Sequence, residues 1–86
     1  MPYKIEYADA ASKAIRKLPT DIQRRIIARI ESLADNPRPS SAIKLSGHDA
    51  YRTRVGDYRI IYAIADERLV VVIVEVGNRK DIYRGY

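Results

Sequence analysis

The 86-residue chain has no cysteine, tryptophan or phenylalanine, one histidine, one methionine, and only four glycines and four prolines. Each absence closes off a class of chemistry. Without cysteine there is neither a disulfide framework nor a thiol nucleophile, and one histidine cannot build a histidine-rich zinc site. His48 itself reads as a loop residue rather than a catalyst. No glycine-rich loop has nucleotide-binding spacing, and no pair of carboxylates has the pattern of an acid/base couple. The longest unbroken apolar runs, Ile60 to Ala65 and Leu69 to Val74, are six residues each, against the ~20 needed to cross a bilayer. No membrane segment is expected. No basic stretch near the N-terminus leads into an apolar one, so the cytoplasm is the expected compartment.

What remains fits one small domain spanning 1–86, with a modest core that packing or a bound partner must stabilise. The formal net charge is +5 and the pI about 9.7. Such a balance suits a polyanion, either nucleic acid or an acidic protein. The two halves of the chain carry similar excesses of positive charge, so folding rather than a tail must gather any basic patch.

Tyr3, Ile5 and Tyr7 alternate with Lys4 and Glu6, the period of a half-buried strand. Asp9 is placed to cap a first helix carrying Ala11, Ala14, Ile15 and Leu18 on one face, and Pro19 stops it. Thr20 and Gln23 have the spacing of a capping box. It opens a second helix with the stripe Ile22, Ile26, Ile27, Ile30, Leu33, Ala34, which ends at Asn36-Pro37. So short a connection predicts an antiparallel helical hairpin. A breaker-rich loop from Pro37 to Gly47 follows. Three hairpin-linked strands complete the chain: Tyr51 to Val55, Tyr58 to Ile64, and Leu69 to Val76, with turns at Gly56-Asp57 and Asp66-Glu67. The last is apolar at nearly every position except Glu75, as in an inner strand covered on both faces.

Strand alternation puts Arg52 and Arg54 on one face and Tyr51, Thr53 and Val55 on the other. A tight turn brings Arg59 across from that pair. The spacing leaves two readings open. The arginines lie on a solvated face neutralised by Asp57 and nearby carboxylates, or they form a surface for an anion whose oxygens match guanidinium forks, phosphate above all. Arg79 and Tyr83 follow directly on the last strand, where an arginine can neutralise a phosphate and a tyrosine can stack on a base. With seven tyrosines and no other aromatics, Tyr83 can equally be a core residue. Glu75 reads as either a base or the partner of a neighbouring arginine.

The segment Tyr51-Arg-Thr-Arg-Val-Gly-Asp-Tyr-Arg-Ile-Ile-Tyr62, a hydrophobic strand, and then Val76-Gly-Asn-Arg-Lys-Asp-Ile-Tyr83 together resemble the RelE/ParE family of toxins from type II toxin–antitoxin modules, on its RelE-like branch. The element order agrees along nearly the whole chain. The resemblance implies an α+β fold related to microbial RNases, in which an N-terminal strand and a helical hairpin pack with a mostly antiparallel four-stranded sheet. The hairpin covers one sheet face and leaves the other as the working surface. It implies a ribosome-dependent mRNA endoribonuclease acting in the ribosomal A site, by attack of a ribose 2′-OH on the adjacent phosphate, with no metal or cofactor. By the same resemblance Arg54, Arg59, Arg79 and Tyr83 are the catalytic set, and Arg52, Arg54 and Lys80 grip the RNA. The implied partner is a RelB-like antitoxin in a hetero-oligomer.

The chain departs from the family pattern in two places. Arg52 and Arg54 stand where well-known RelE members carry lysine. A guanidinium does not give up its proton, so catalysis is expected to be mostly electrostatic, or to take its proton transfer from Tyr83 or from ribosomal RNA. Only Arg84, Gly85 and Tyr86 follow Tyr83, where many relatives have a further helix, so inhibition by displacing that helix is not expected. Two other functions fit the fold: a ParE-like inhibitor of DNA gyrase, and a degenerate toxin that serves with its antitoxin as a binding module. The joint presence of Arg52, Arg54, Arg59, Arg79 and Tyr83 favours the ribonuclease.

Overall fold

The alternating segment at the N-terminus forms β1, Lys4–Tyr7, and the two amphipathic stripes form α1, Asp9–Arg16, and α2, Thr20–Ser32. The computed structural model describes residues 2–45 and 50–78. Beyond the helices come β2, Ile43–Lys44, then β3, Tyr51–Val55, and β4, Tyr58–Ala65. A short 3-10 turn, Asp66–Arg68, leads to β5, Val70–Asn78. His48, Arg79, Lys80 and Tyr83 lie outside the described residues.

The five strands form one sheet in the order β1-β5-β4-β3-β2. β1 runs parallel to β5, and every other pairing is antiparallel. The expected α+β architecture is present with one more strand than the four anticipated. The extra strand is β2, whose two residues pair with Tyr51 and Arg52 inside what reads as a loop. So short an edge strand carries no periodic signal, and its brevity blunts the sheet edge. β5 lies between β1 and β4, which accounts for its apolar composition.

The α1–α2 pair covers one sheet face. Ala11 and Ile15 of α1, with Ile26, Ile30 and Leu33 from α2 and its C-terminus, pack on Val55, Ile60, Tyr62, Val71, Ile73 and Val76. Each fully buried aliphatic side chain here contributes roughly 1.5–3 kcal/mol relative to exposure.

Two capping expectations are corrected. Ala8, not Asp9, is the N-cap of α1, and Asp9 is its first helical residue, where its charge suits the helix dipole. Pro19 is the N-cap of α2, so Thr20 and Gln23 form no capping box. Gln23 instead donates from Nε2 to the Ile15 carbonyl at 2.8 Å. That oxygen, in the last turn of α1, also accepts from the Leu18 N–H at 3.1 Å, and the Gln23 bond adds a link between the two helices.

The register of β4 against β5 shifts between Ile61, opposite Glu75, and Tyr62, opposite Ile73. Val74 is the extra residue, a β-bulge. Strict alternation would carry Glu75 to the helix side with Val71 and Ile73. The bulge reverses the parity, so Val76 joins the core and Glu75 joins Ile61 on the opposite face. The predicted turn at Asp66-Glu67 is the 3-10 turn, closed by Leu69 in the left-handed region at φ 53°.

Candidate nucleic-acid interface

The β3–β4 hairpin positions three of the predicted arginines. Gly56 supplies the positive φ, 59°, that the tight turn requires. The resulting register sets Arg54 directly opposite Arg59 and Arg52 opposite Ile61. Arg59 in turn faces Gly77, and Ile61 faces Glu75, across β4 and β5. All these residues lie on the face away from the helices. One row therefore runs Arg52, Ile61, Glu75, and the next runs Arg54, Arg59, Gly77.

Burial grades the three guanidiniums. Arg54 is exposed, Arg52 is half-buried, and Arg59 retains 4% of its accessible surface. Beside them Ile61 is fully buried, an apolar floor that strengthens any charge–charge contact made above it. Arg59 Nη1 reaches only the Tyr58 carbonyl, at a long 3.5 Å, and its Nε is buried with no hydrogen-bond partner among the described residues. Two like charges placed opposite each other cost stability, and an unsatisfied buried donor costs more. An anion bound on this face relieves both costs at once.

The strand carrying Arg54 is held from the helix side. Arg29 of α2 donates from Nη1 to Thr53 Oγ1 and to the Arg54 carbonyl, both at 3.0 Å. Thr53 is itself fully buried. Arg25, one helical turn before Arg29, approaches the turn: a Cβ at Gly56 would lie 3.6 Å from its Nη2. The sequence reading passed over Arg25 and Arg29, whose four-residue spacing on one helix face was the available signal.

The opposite end of the sheet is closed by a polar cluster. Arg38 grips both carboxylate oxygens of Asp66, at 3.1 and 2.8 Å, and Tyr3 donates to Asp66 Oδ1 at 2.7 Å. Those hydrogen bonds, from Arg38 first and Tyr3 second, hold the Asp66 carboxyl down at about 2. Arg38 also lies over the Tyr51 ring, and Tyr51 stacks on Tyr62 with centroids 5.8 Å apart. Tyr62 donates to the buried Pro37 carbonyl at 2.7 Å, and burial pushes its hydroxyl up to about 12.

Of the residues the sequence singled out, Arg52, Arg54 and Arg59 are brought together, with Glu75 on the same face. Arg79, Lys80 and Tyr83 lie outside the described residues.

Residues 5–83 match the family described as the ParE toxin of the type II toxin–antitoxin system, parDE. A putative RelE-like toxin protein of Escherichia coli is 34% identical, covering 96% of this chain and 92% of that one. The mRNA interferase toxin RelE of Escherichia coli is 30% identical, covering 93% of this chain and 86% of that one. Among solved structures, the archaeal RelE–RelB complex from Pyrococcus horikoshii contains a chain that superposes with a TM-score of 0.83 at 32% identity, over 94% of this chain and 99% of that one. A hairpin that sets Arg54 against Arg59, on a sheet backed by two helices and matched along almost its whole length by these toxins, places the chain in the RelE/ParE family, as a RelE-type toxin of a type II toxin–antitoxin system.

Proposed function

We propose that this toxin is an mRNA interferase, a ribosome-dependent endoribonuclease that cuts mRNA in the ribosomal A site and is neutralised in the cytoplasm by a RelB-like antitoxin. The observation that carries the proposal is the Arg54–Arg59 pair, with Arg52 alongside, on the sheet face away from the helices. The family relative named an mRNA interferase supports the same reading, and the RelE–RelB complex supports the partner.

In the proposed reaction a ribose 2′-oxygen loses its proton and attacks the adjacent phosphorus. The O2′–P bond forms, the P–O5′ bond breaks, and the 5′-oxygen leaves as a hydroxyl once protonated. The products are a 2′,3′-cyclic phosphate and a 5′-OH end. Extra negative charge gathers on the phosphoryl oxygens during attack, and donors already fixed in place stabilise it most. Arg59, buried and with its Nε unpartnered among the described residues, fits that role. Arg54 faces it, and Arg52 holds the backbone of the neighbouring nucleotide. Gly77 is the β5 partner of Arg59, and Arg79 and Lys80 follow shortly after it in the chain. We assign Arg79 to the same phosphoryl group, Lys80 to the RNA backbone and Tyr83 to orienting the nucleotide. None of the guanidiniums can accept the 2′-proton at neutral pH, so it passes to ribosomal RNA or, through Tyr83, to water, and the leaving 5′-oxygen takes a proton back from the same source.

The test is to induce the toxin alone in a bacterium and map new 5′-OH ends on mRNA, beside Arg59→Ala and Arg79→Ala. Ends within translated frames, absent from both variants and suppressed by the antitoxin, are the expected result. Growth arrest with DNA-damage signalling and no new ends would assign the chain to gyrase inhibition instead. Harmless expression would make it a binding module.

A further inference from the structure

A groove of about 440 Å³ runs between α2 and the β3–β4 turn. Arg25, Arg29 and Arg54 line it, together with Ala28, Ser32, Val55 and Gly56, and no acidic residue does among the described residues. Arg29 is fixed there by its two bonds to Thr53 and the Arg54 carbonyl, which occupy Nη1 and leave its other nitrogens available. Arg25 is exposed, and its Nη2 lies against the bare backbone of Gly56. Neither Arg25 nor Arg29 forms an ion pair among the described residues.

We propose that this groove is a second phosphate-binding subsite, filled by a backbone phosphate of the same RNA strand that crosses the open face. Arg54 connects the two places, since it belongs both to the groove wall and to the row it shares with Arg59. A strand laid along Arg52, Arg54 and Arg59 passes over the hairpin turn and meets Arg25 and Arg29 next. Guanidiniums without carboxylate partners suit phosphate oxygens. Of the other wall residues only Val55 is a larger apolar side chain, and it is 7% exposed, so a peptide side chain finds little apolar surface to bury, which favours RNA over a protein segment. A wider phosphate track raises affinity without reading sequence.

The inference rests on the reading of the open face as an RNA surface, and its test is separable from cleavage. Binding of a fluorescent 2′-O-methyl oligoribonucleotide, which cannot be cut, is followed by anisotropy across a salt series. Arg25→Ala is expected to weaken binding about fivefold and to make the salt slope shallower by about 0.7, with antitoxin affinity unchanged. RNA affinity equal to wild type would overturn the proposal. A loss confined to antitoxin binding would overturn it too, and would assign the groove to protein. If the wild-type toxin does not bind the probe at all, both the groove and the RNA reading of the open face fail. Arg25-dependent binding by a toxin that cuts no mRNA supports the groove and counts only against the proposed activity.

Discussion

Arg59 faces Arg54 across the β3–β4 ladder with its own side chain buried, so one of two opposed like charges is held out of solvent. The arrangement costs stability when nothing is bound. Arg59→Met is therefore expected to raise the urea midpoint, by about 1 kcal/mol in unfolding free energy, while abolishing the proposed RNA cleavage. A midpoint at or below wild type would show that Arg59 is not held at a cost.

Leu69 sits in the left-handed region at φ 53° and is 41% exposed. A side chain there costs roughly 1–2 kcal/mol, and glycine avoids this while adding about 0.4–1 kcal/mol of unfolded-state entropy. Leu69→Gly should accordingly be slightly more stable than wild type, and Leu69→Val less stable, since a β-branched side chain tolerates this region poorly. Thermal melts giving the reverse order would exclude strain at this residue.

Asp66 links pH to stability. Its carboxyl is held down at about 2 by Arg38 and Tyr3, below the unfolded value of about 3.9. A depressed carboxylate contributes fully above the unfolded value and loses that contribution as pH falls toward the folded one. Denaturation midpoints of wild type should therefore drop between about pH 4 and pH 2 more steeply than those of Asp66→Asn. Parallel curves would mean that the Arg38–Asp66 contact does not persist in solution.

Tyr62 gives the opposite sign. Burial raises its hydroxyl to about 12, so its share of stability is complete below about 10, the unfolded value, and is lost as pH rises toward the folded one. Tyr62→Phe strands the buried Pro37 carbonyl and is expected to cost about 1–2 kcal/mol near neutral pH. The gap between variant and wild type should narrow above pH ~10. A gap that stays constant into strong alkali would contradict a neutral, donating hydroxyl.

The hairpin carrying Arg52, Arg54 and Arg59 was legible because alternation fixes the faces and Gly56 fixes the turn, and together these determine the register. The bulge at Val74 was not legible. Leu69 to Val74 is apolar at every position, so a shift of parity leaves no trace in hydropathy. Thr20 and Gln23 carried a genuine local signal that lost to a tertiary one, the carbonyl of Ile15. Arg25 and Arg29 could be placed on a shared helix face, but the approach of Arg25 to Gly56 and of Arg29 to Thr53 depends on how α2 docks on the sheet. Arg79, Lys80 and Tyr83 were carried by family resemblance, and their roles stand as proposals.

β5 comes after every other described element in the sequence, yet it occupies the interior of the sheet between β4 and β1. During synthesis β1 emerges first and waits unpaired for a partner made near the end, a separation that slows folding. The face presented by Arg54 and Arg59 is not backed by a closed sheet until β5 has left the ribosome. For a toxin this imposes an interval between translation and potency. In that interval the antitoxin can meet a chain that is still incomplete.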